Sequence, residues 1–96
     1  MGVAELLDEV LNFMHIVYVL LSQKDPQRYY IGLTDDLPRR LIEHNSACAG
    51  YSKRYAPWRI ETYIAFENRN LAKKFEEYLK AGSGHAFLKR HFICNN

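Results

Sequence analysis

Residues 16–22 read IVYVLLS and residues 28–34 read RYYIGLT. Both runs are β-branched, aromatic and aliphatic with few breakers, which is the composition of strands. The segment between them, SQKDPQ, holds Asp25-Pro26, a turn signal, so residues 15–22 and 28–34 are predicted to pair as an antiparallel hairpin. Side chains alternate across a strand, so Tyr29 and Tyr30 point to opposite faces and only one of them can accompany Tyr18. Gly32 lies on the same face as Tyr30 and leaves room there for a phosphate or a second backbone.

The next eleven residues, DDLPRRLIEHN (35–45), read as a helix over 37–45. Asp35 or Asp36 supplies the cap, Pro38 suits the first turn, and Leu37, Leu41 and Ile42 turn inward. Arg40 and His44 fall ten and fourteen residues after Tyr30 and four apart, so they share one helix face. Arg39 points to solvent. An isolated Arg/His pair is ordinarily a solvated surface; the register to the tyrosine hairpin is what singles this one out. Two phenols, a guanidinium and an imidazole on one side of a small sheet suit chemistry on a phosphodiester, with Arg40 holding phosphate oxygens by paired hydrogen bonds.

Before the hairpin, residues 3–14 place Val3, Leu6, Leu7, Val10, Leu11 and Met14 at steps of three and four, the pattern of an amphipathic helix. After the first helix, residues 46–58 are rich in Ser, Ala, Gly and Tyr and read as a loop whose SKRY segment is basic. Residues 59–66, RIETYIAF, alternate as a third strand. Asn68 or Asn70 caps a helix running to about Lys80, Gly82 ends it, and a last short helix lies near 85–91. The expected fold is α/β, a small three-stranded antiparallel sheet flanked by helices, with residues 1–14 as an N-terminal amphipathic extension of a domain over 15–96.

Ninety-six residues suffice for one small core, and seven tyrosines, five phenylalanines and one tryptophan give it large side chains to bury. Cys48 and Cys94 match no metal-ligand spacing with each other or with His15, His85 and His91, which read as surface or strand-edge residues. Free thiols in a reducing, cytoplasmic setting are expected, and no apolar run is long enough to span a bilayer. Residues 1–13 carry a net charge of −3, so residues 14–96 carry +5, a body compatible with a polyanionic partner. Lys53 and Arg54 are placed to touch a backbone phosphate. Ser52 has no local pattern for acyl transfer, and no Gly-rich phosphate loop is present.

The ordered run of VYV (17–19), YIG (30–32), Arg40 and His44 resembles the GIY-YIG nuclease family, with only the tyrosine of the first triplet kept. The resemblance covers roughly residues 15–80. It implies a metal-dependent endonuclease in which one acidic residue on a later helix binds a single divalent cation, Mg2+ or Mn2+. Glu76 and Glu77 are the candidates. They differ by about 100° on a helix, so one faces the cluster. Glu76 is chosen because Ala72 precedes it by four, a small residue where family members commonly show one.

The resemblance further implies attack by water in line with a leaving 3′ oxygen. Tyr18 would be the general base, Tyr30 would hold the phosphate or the water, Arg40 would offset developing charge, and His44 would orient Tyr18 or contact the phosphate. The base role needs nearby positive charge to lower the phenol's pKa, and Arg40 is the expected source. Similarity to the N-terminal nuclease part of the bacterial excinuclease suggests DNA as the partner, in branched, damaged or single-stranded form, and a repair setting. Specificity would then come from substrate shape, a protein partner or a second copy of the chain. The competing expectations are a nucleic-acid-binding module on the same scaffold that does not cut, and an interaction domain that uses the N-terminal helix.

Overall fold

The computed structural model describes residues 9–93. Half of the amphipathic segment expected over 3–14, residues 3–8, lies outside the described residues; residues 9–11 are helical and the chain turns over 12–14 into the sheet. The elements that follow are β1 (His15–Ser22), β2 (Tyr29–Thr34), α1 (Leu37–Asn45), α2 (Gly50–Arg54), β3 (Trp58–Phe66), α3 (Arg69–Leu79) and α4 (Gly82–His91).

The sheet is antiparallel throughout, in the order β2-β1-β3, so the most apolar strand is central. Tyr18 pairs with Gly32 on one side and Tyr63 on the other, and the β1–β3 register slips between Val19 and Leu20. The hairpin turn is tied by the Ser22 hydroxyl, which accepts from the backbone N–H of Lys24 and Asp25 at 3.1 and 2.9 Å and donates to the Tyr55 carbonyl.

Alternation along β1 divides the core in two. Val17, Val19 and Ile31 meet Ala72 and Leu79 of α3 and Leu88 of α4 on one face. Ile16, Tyr18 and Leu20 meet Leu37 of α1 and Trp58 on the other. The helices thus cover both faces, α1 and α2 on one and α3 and α4 on the opposite one. The expected caps form: Asp36 accepts from the Arg39 N–H and Asn68 from the Leu71 N–H, both at 3.1 Å.

Three expectations are corrected. The stretch 46–58 contains the short helix α2, which tertiary bonds hold in place. Tyr51 donates its hydroxyl to the Tyr29 carbonyl at 2.9 Å, and the Trp58 indole donates to the Ser52 carbonyl at 2.8 Å. Ile42 does not turn inward; it is 65% exposed. Gly82 does not end α3, which stops at Leu79; it opens α4 with φ +59, a conformation favouring glycine.

Candidate active site

Tyr18 stands at the centre of β1, 1% exposed, on the face that α1 covers. Its ring lies across Gly32 of the neighbouring strand, where any Cβ would collide with the phenol oxygen. The space left by Gly32 is therefore filled by Tyr18 itself and is not open to a phosphate, as the sequence suggested. The missing side chain lets the phenol cross β2 and reach α1.

There α1 presents two groups to one oxygen. Arg40 Nε donates to Tyr18 Oη at 3.3 Å, and His44 Nε2 lies 3.0 Å from the same atom. With Arg40 already donating, the phenol O–H is satisfied when it donates to Nε2. The other ring nitrogen, Nδ1, then carries the proton and donates to Ser52 Oγ at 2.9 Å. Tyr30 packs beside this chain, its ring centroid 4.3 Å from that of His44 and 6.3 Å from that of Tyr18. It is half-buried and so the more accessible of the two phenols.

The electrostatics follow from burial. Burial raises the pKa of Tyr18 above the usual phenol value, and the hydrogen bond and charge of Arg40 only partly offset it. The expectation that Arg40 would bring the phenol below its ordinary range is therefore corrected: desolvation outweighs the guanidinium. His44, 5% exposed, is pushed down by burial first and by the Arg40 charge second, so it is neutral at pH 7 and able to accept a proton at Nε2. Arg40 stays cationic, held up by its bonds to Tyr18 and then by Glu43, whose Oε2 pairs with NH1 at 3.0 Å.

Arg40 also lines an open groove of about 400 Å³, together with Thr34, Asp35, Arg39, Glu43 and Arg69. One guanidinium thus joins the buried phenol to a solvent-filled channel carrying three arginines and two carboxylates.

Glu76 makes no hydrogen bond or ion pair with these four. It sits on α3, whose neighbours Ala72 and Leu79 pack on the opposite face of the sheet. Its side chain is 8% exposed, and its two oxygens meet Lys80 Nζ at 2.9 Å and Lys73 Nζ at 3.8 Å. Among the described residues its polar contacts run to these lysines, and no cluster of three His, Cys, Asp or Glu side chains could hold a metal by protein ligands alone. A buried oxygen donor with two ammonium groups drawn to it does suit a hard divalent cation that keeps most of its waters. Glu77 is exposed and pairs with Lys73.

Lys53 and Arg54 are exposed on α2. Sequence reasoning missed Ser52: eight residues beyond His44 it shows no local spacing, and only the packing of α2 brings it to the imidazole. It also misplaced His85, whose Nε2 lies 2.5 Å from the Tyr29 hydroxyl in a half-buried contact tying α4 to β2. Cys48 is an exposed free thiol.

Comparison with known proteins points the same way. The model of the GIY-YIG catalytic domain matches residues 14–87. The chain is 39% identical over 59 residues to a structure-specific endonuclease subunit SLX1 homolog of Giardia intestinalis, covering 57% of this chain but 16% of that protein. It is 39% identical over 67 residues to a UPF0213 protein of Lactococcus lactis, covering 69% of this chain and 66% of that one. A UPF0213 protein of Clostridium perfringens is 32% identical over 68 residues, with 70% and 71% covered.

Proposed function

Because the chain belongs to the GIY-YIG family of nucleases, we propose that it is an endonuclease that hydrolyses DNA phosphodiesters with a divalent metal ion, choosing its substrate by structure. The observation that carries this reading is the single phenol oxygen of Tyr18 bonded to both Arg40 and His44. Two groups that hold charge and move protons meet one phenol oxygen, and one of them opens onto a groove lined by three arginines.

The chemistry follows from these contacts. A buried phenol with a raised pKa is a weak base unless its own proton leaves as it takes another. His44 Nε2 is placed to receive that proton. Water would then give its proton to Tyr18 Oη, the phenol proton would pass to His44, and the hydroxide formed would attack phosphorus as the 3′ oxygen leaves. Arg40 would offset charge on the phosphate oxygens and on the phenol oxygen at the same time. Tyr30 would hold the water or a phosphate oxygen, and Ser52 fixes the imidazole by accepting from Nδ1. Glu76 would hold Mg2+ or Mn2+ in exchange for Lys80 and Lys73. The groove that Arg40 lines also takes in Arg69, at the start of the helix that carries Glu76, so a strand lying in it would run toward the ion, whose charge would offset that of the phosphate.

A preference set by substrate structure is supported by the name of the Giardia relative, a structure-specific endonuclease subunit of which this chain spans only a part; branched or damaged DNA and a repair setting extend that reading. Phe13, 82% exposed next to the sheet, supports association through the N-terminal segment with a protein partner or a second copy. The test is incubation of the purified chain with end-labelled duplex, branched and single-stranded DNA, with and without Mn2+. Metal-dependent nicking of branched DNA is expected. Intact substrates under all conditions, with Arg40→Ala indistinguishable from the parent, would overturn the reading.

A further inference from the structure

Behind α2, on the side away from His44, lies a second recess of about 720 Å³ lined by Arg28, Gly50, Tyr51, Arg54 and Tyr55. Its charge is arranged. The guanidinium carbons of Arg28 and Arg54 sit 5.0 and 5.3 Å from the centroid of the one Tyr55 ring. Two like charges are held together there by cation–π contact. Asp25 pairs only with Arg28, at 3.5 Å, and Arg54 has no carboxylate partner among the described residues. Lys24 adds a third cation by donating to the Arg54 carbonyl at 3.2 Å.

Next to the cations stands an exposed aromatic surface. Tyr51 is 41% exposed, although its hydroxyl is committed to the Tyr29 carbonyl. Its ring is backed by Tyr55 at 4.9 Å and by buried Trp58 at 5.7 Å. The ring is thus fixed in place while remaining 41% exposed.

We infer that this recess binds an unpaired nucleotide of the substrate strand, with Tyr51 stacking on the base and Arg28 and Arg54 clasping the adjoining phosphate. The inference rests on the nuclease reading and deepens it by naming a second contact. Fixed rings beside paired guanidiniums are the combination that single strands use, since a paired base offers no face to stack. The occupant is therefore a single-stranded segment, and duplex would meet the cations alone. Position agrees with this. Arg28 immediately precedes β2 and lies two residues from Tyr30, a separation of about 6.6 Å in extended chain, so the nucleotide held lies close to the bond to be cut. Ser52, one residue from Tyr51 on α2, bonds to His44, so an occupied recess would steady the helix that orients the imidazole.

The experiment is fluorescence anisotropy of the full chain with a labelled single-stranded oligonucleotide and the matching duplex, in chelator so that no cutting occurs. Tyr51→Leu is expected to weaken single-strand binding by about tenfold or more and duplex binding much less. Tyr51→Phe keeps the stacking ring while losing the bond to Tyr29, and should retain most of the single-strand preference. The double variant Arg28→Gln, Arg54→Gln changes only exposed groups. It should flatten the salt dependence for the single strand by about 0.7 in logarithmic slope, the value for one phosphate. An unchanged affinity and slope in the double variant would overturn the inference, as would equal losses for single strand and duplex in Tyr51→Leu. A parent that binds single strands through these residues but never cuts leaves the recess standing and fells the nuclease reading. A parent that cuts branched DNA while these variants bind normally does the reverse.

Discussion

The phenol oxygen of Tyr18 lies 3.0 Å from Nε2 of His44, and both residues are at least 95% buried. The phenol donates and the imidazole accepts. Tyr18→Phe keeps the ring over Gly32 but leaves the imidazole without its donor. Stability should fall by about 1 kcal/mol and cleavage by about 10²- to 10⁴-fold, whereas Tyr30→Phe should cost less of the rate. Single-turnover cleavage beside urea unfolding separates the two effects. Equal rates for Tyr18→Phe and the parent would remove Tyr18 from the reaction.

His44 should leave a mark on stability below neutral pH. Burial lowers its folded pKa beneath the ordinary value of 6.5. Above about pH 6.5 both folded and unfolded states hold it neutral, and it contributes no slope. Between that value and its lower folded value the unfolded chain binds the proton and the folded chain does not. Stability from this residue is therefore present at neutral pH and lost as pH falls through that window. Urea unfolding from pH 5 to 8 should show a steeper acid-side decline in the parent than in His44→Gln. Parallel curves would mean the imidazole titrates normally.

The hairpin and the four-residue cluster were legible because their signals are local. Period-two alternation, the Asp25-Pro26 turn and the i, i+4 spacing of Arg40 and His44 each need only neighbouring residues. The caps at Asp36 and Asn68 belong to the same class. What escaped depends on contacts between distant segments. Helix α2 has loop-like composition and is held by bonds from Tyr51 to Tyr29 and from Trp58 to Ser52. The lysine-rich face around Glu76 reads as solvated, yet Ala72 and Leu79, on either side of it, are fully buried and carry Glu76 inward. The space over Gly32 looked vacant because a sequence does not show which neighbouring ring fills it.

That ring makes Gly32 a sensitive position. Gly32→Ala puts a methyl where the Tyr18 phenol lies. Either the strand pair yields or the phenol leaves His44. Overpacking of this kind costs about 1–3 kcal/mol, and the displaced hydroxyl should take most of the cleavage activity with it. Thermal melts and a cleavage assay on the same preparation check both. A variant of parental melting temperature and full activity would show that the ring moves freely, which the Arg40 and His44 bonds argue against.

Arg40→Lys tests shape against charge. The guanidinium uses Nε for Tyr18 and NH1 for Glu43, and an ammonium cannot hold both while facing the groove. Side-chain exposure of 40% keeps the folding cost small, within about 0.5 kcal/mol. Cleavage should fall by about 10²-fold even though the positive charge remains. Full activity in Arg40→Lys would reduce its role to a general electrostatic one.

Glu76→Gln separates metal binding from packing. The carboxylate is 8% exposed and bracketed by Lys73 and Lys80, themselves about half exposed. An amide of the same shape can still accept from Lys80, and the freed lysine charges can turn to water, so the fold should lose only about 1 kcal/mol. The amide brings no negative charge to a divalent ion, so Mg2+- and Mn2+-supported cleavage should be lost at every metal concentration tried, while binding to DNA in chelator stays near parental. Far-UV circular dichroism confirms that the variant is folded, and a Mn2+ titration of the cleavage rate gives the answer. A folded Glu76→Gln that cuts at the parental rate would take the metal away from this carboxylate altogether.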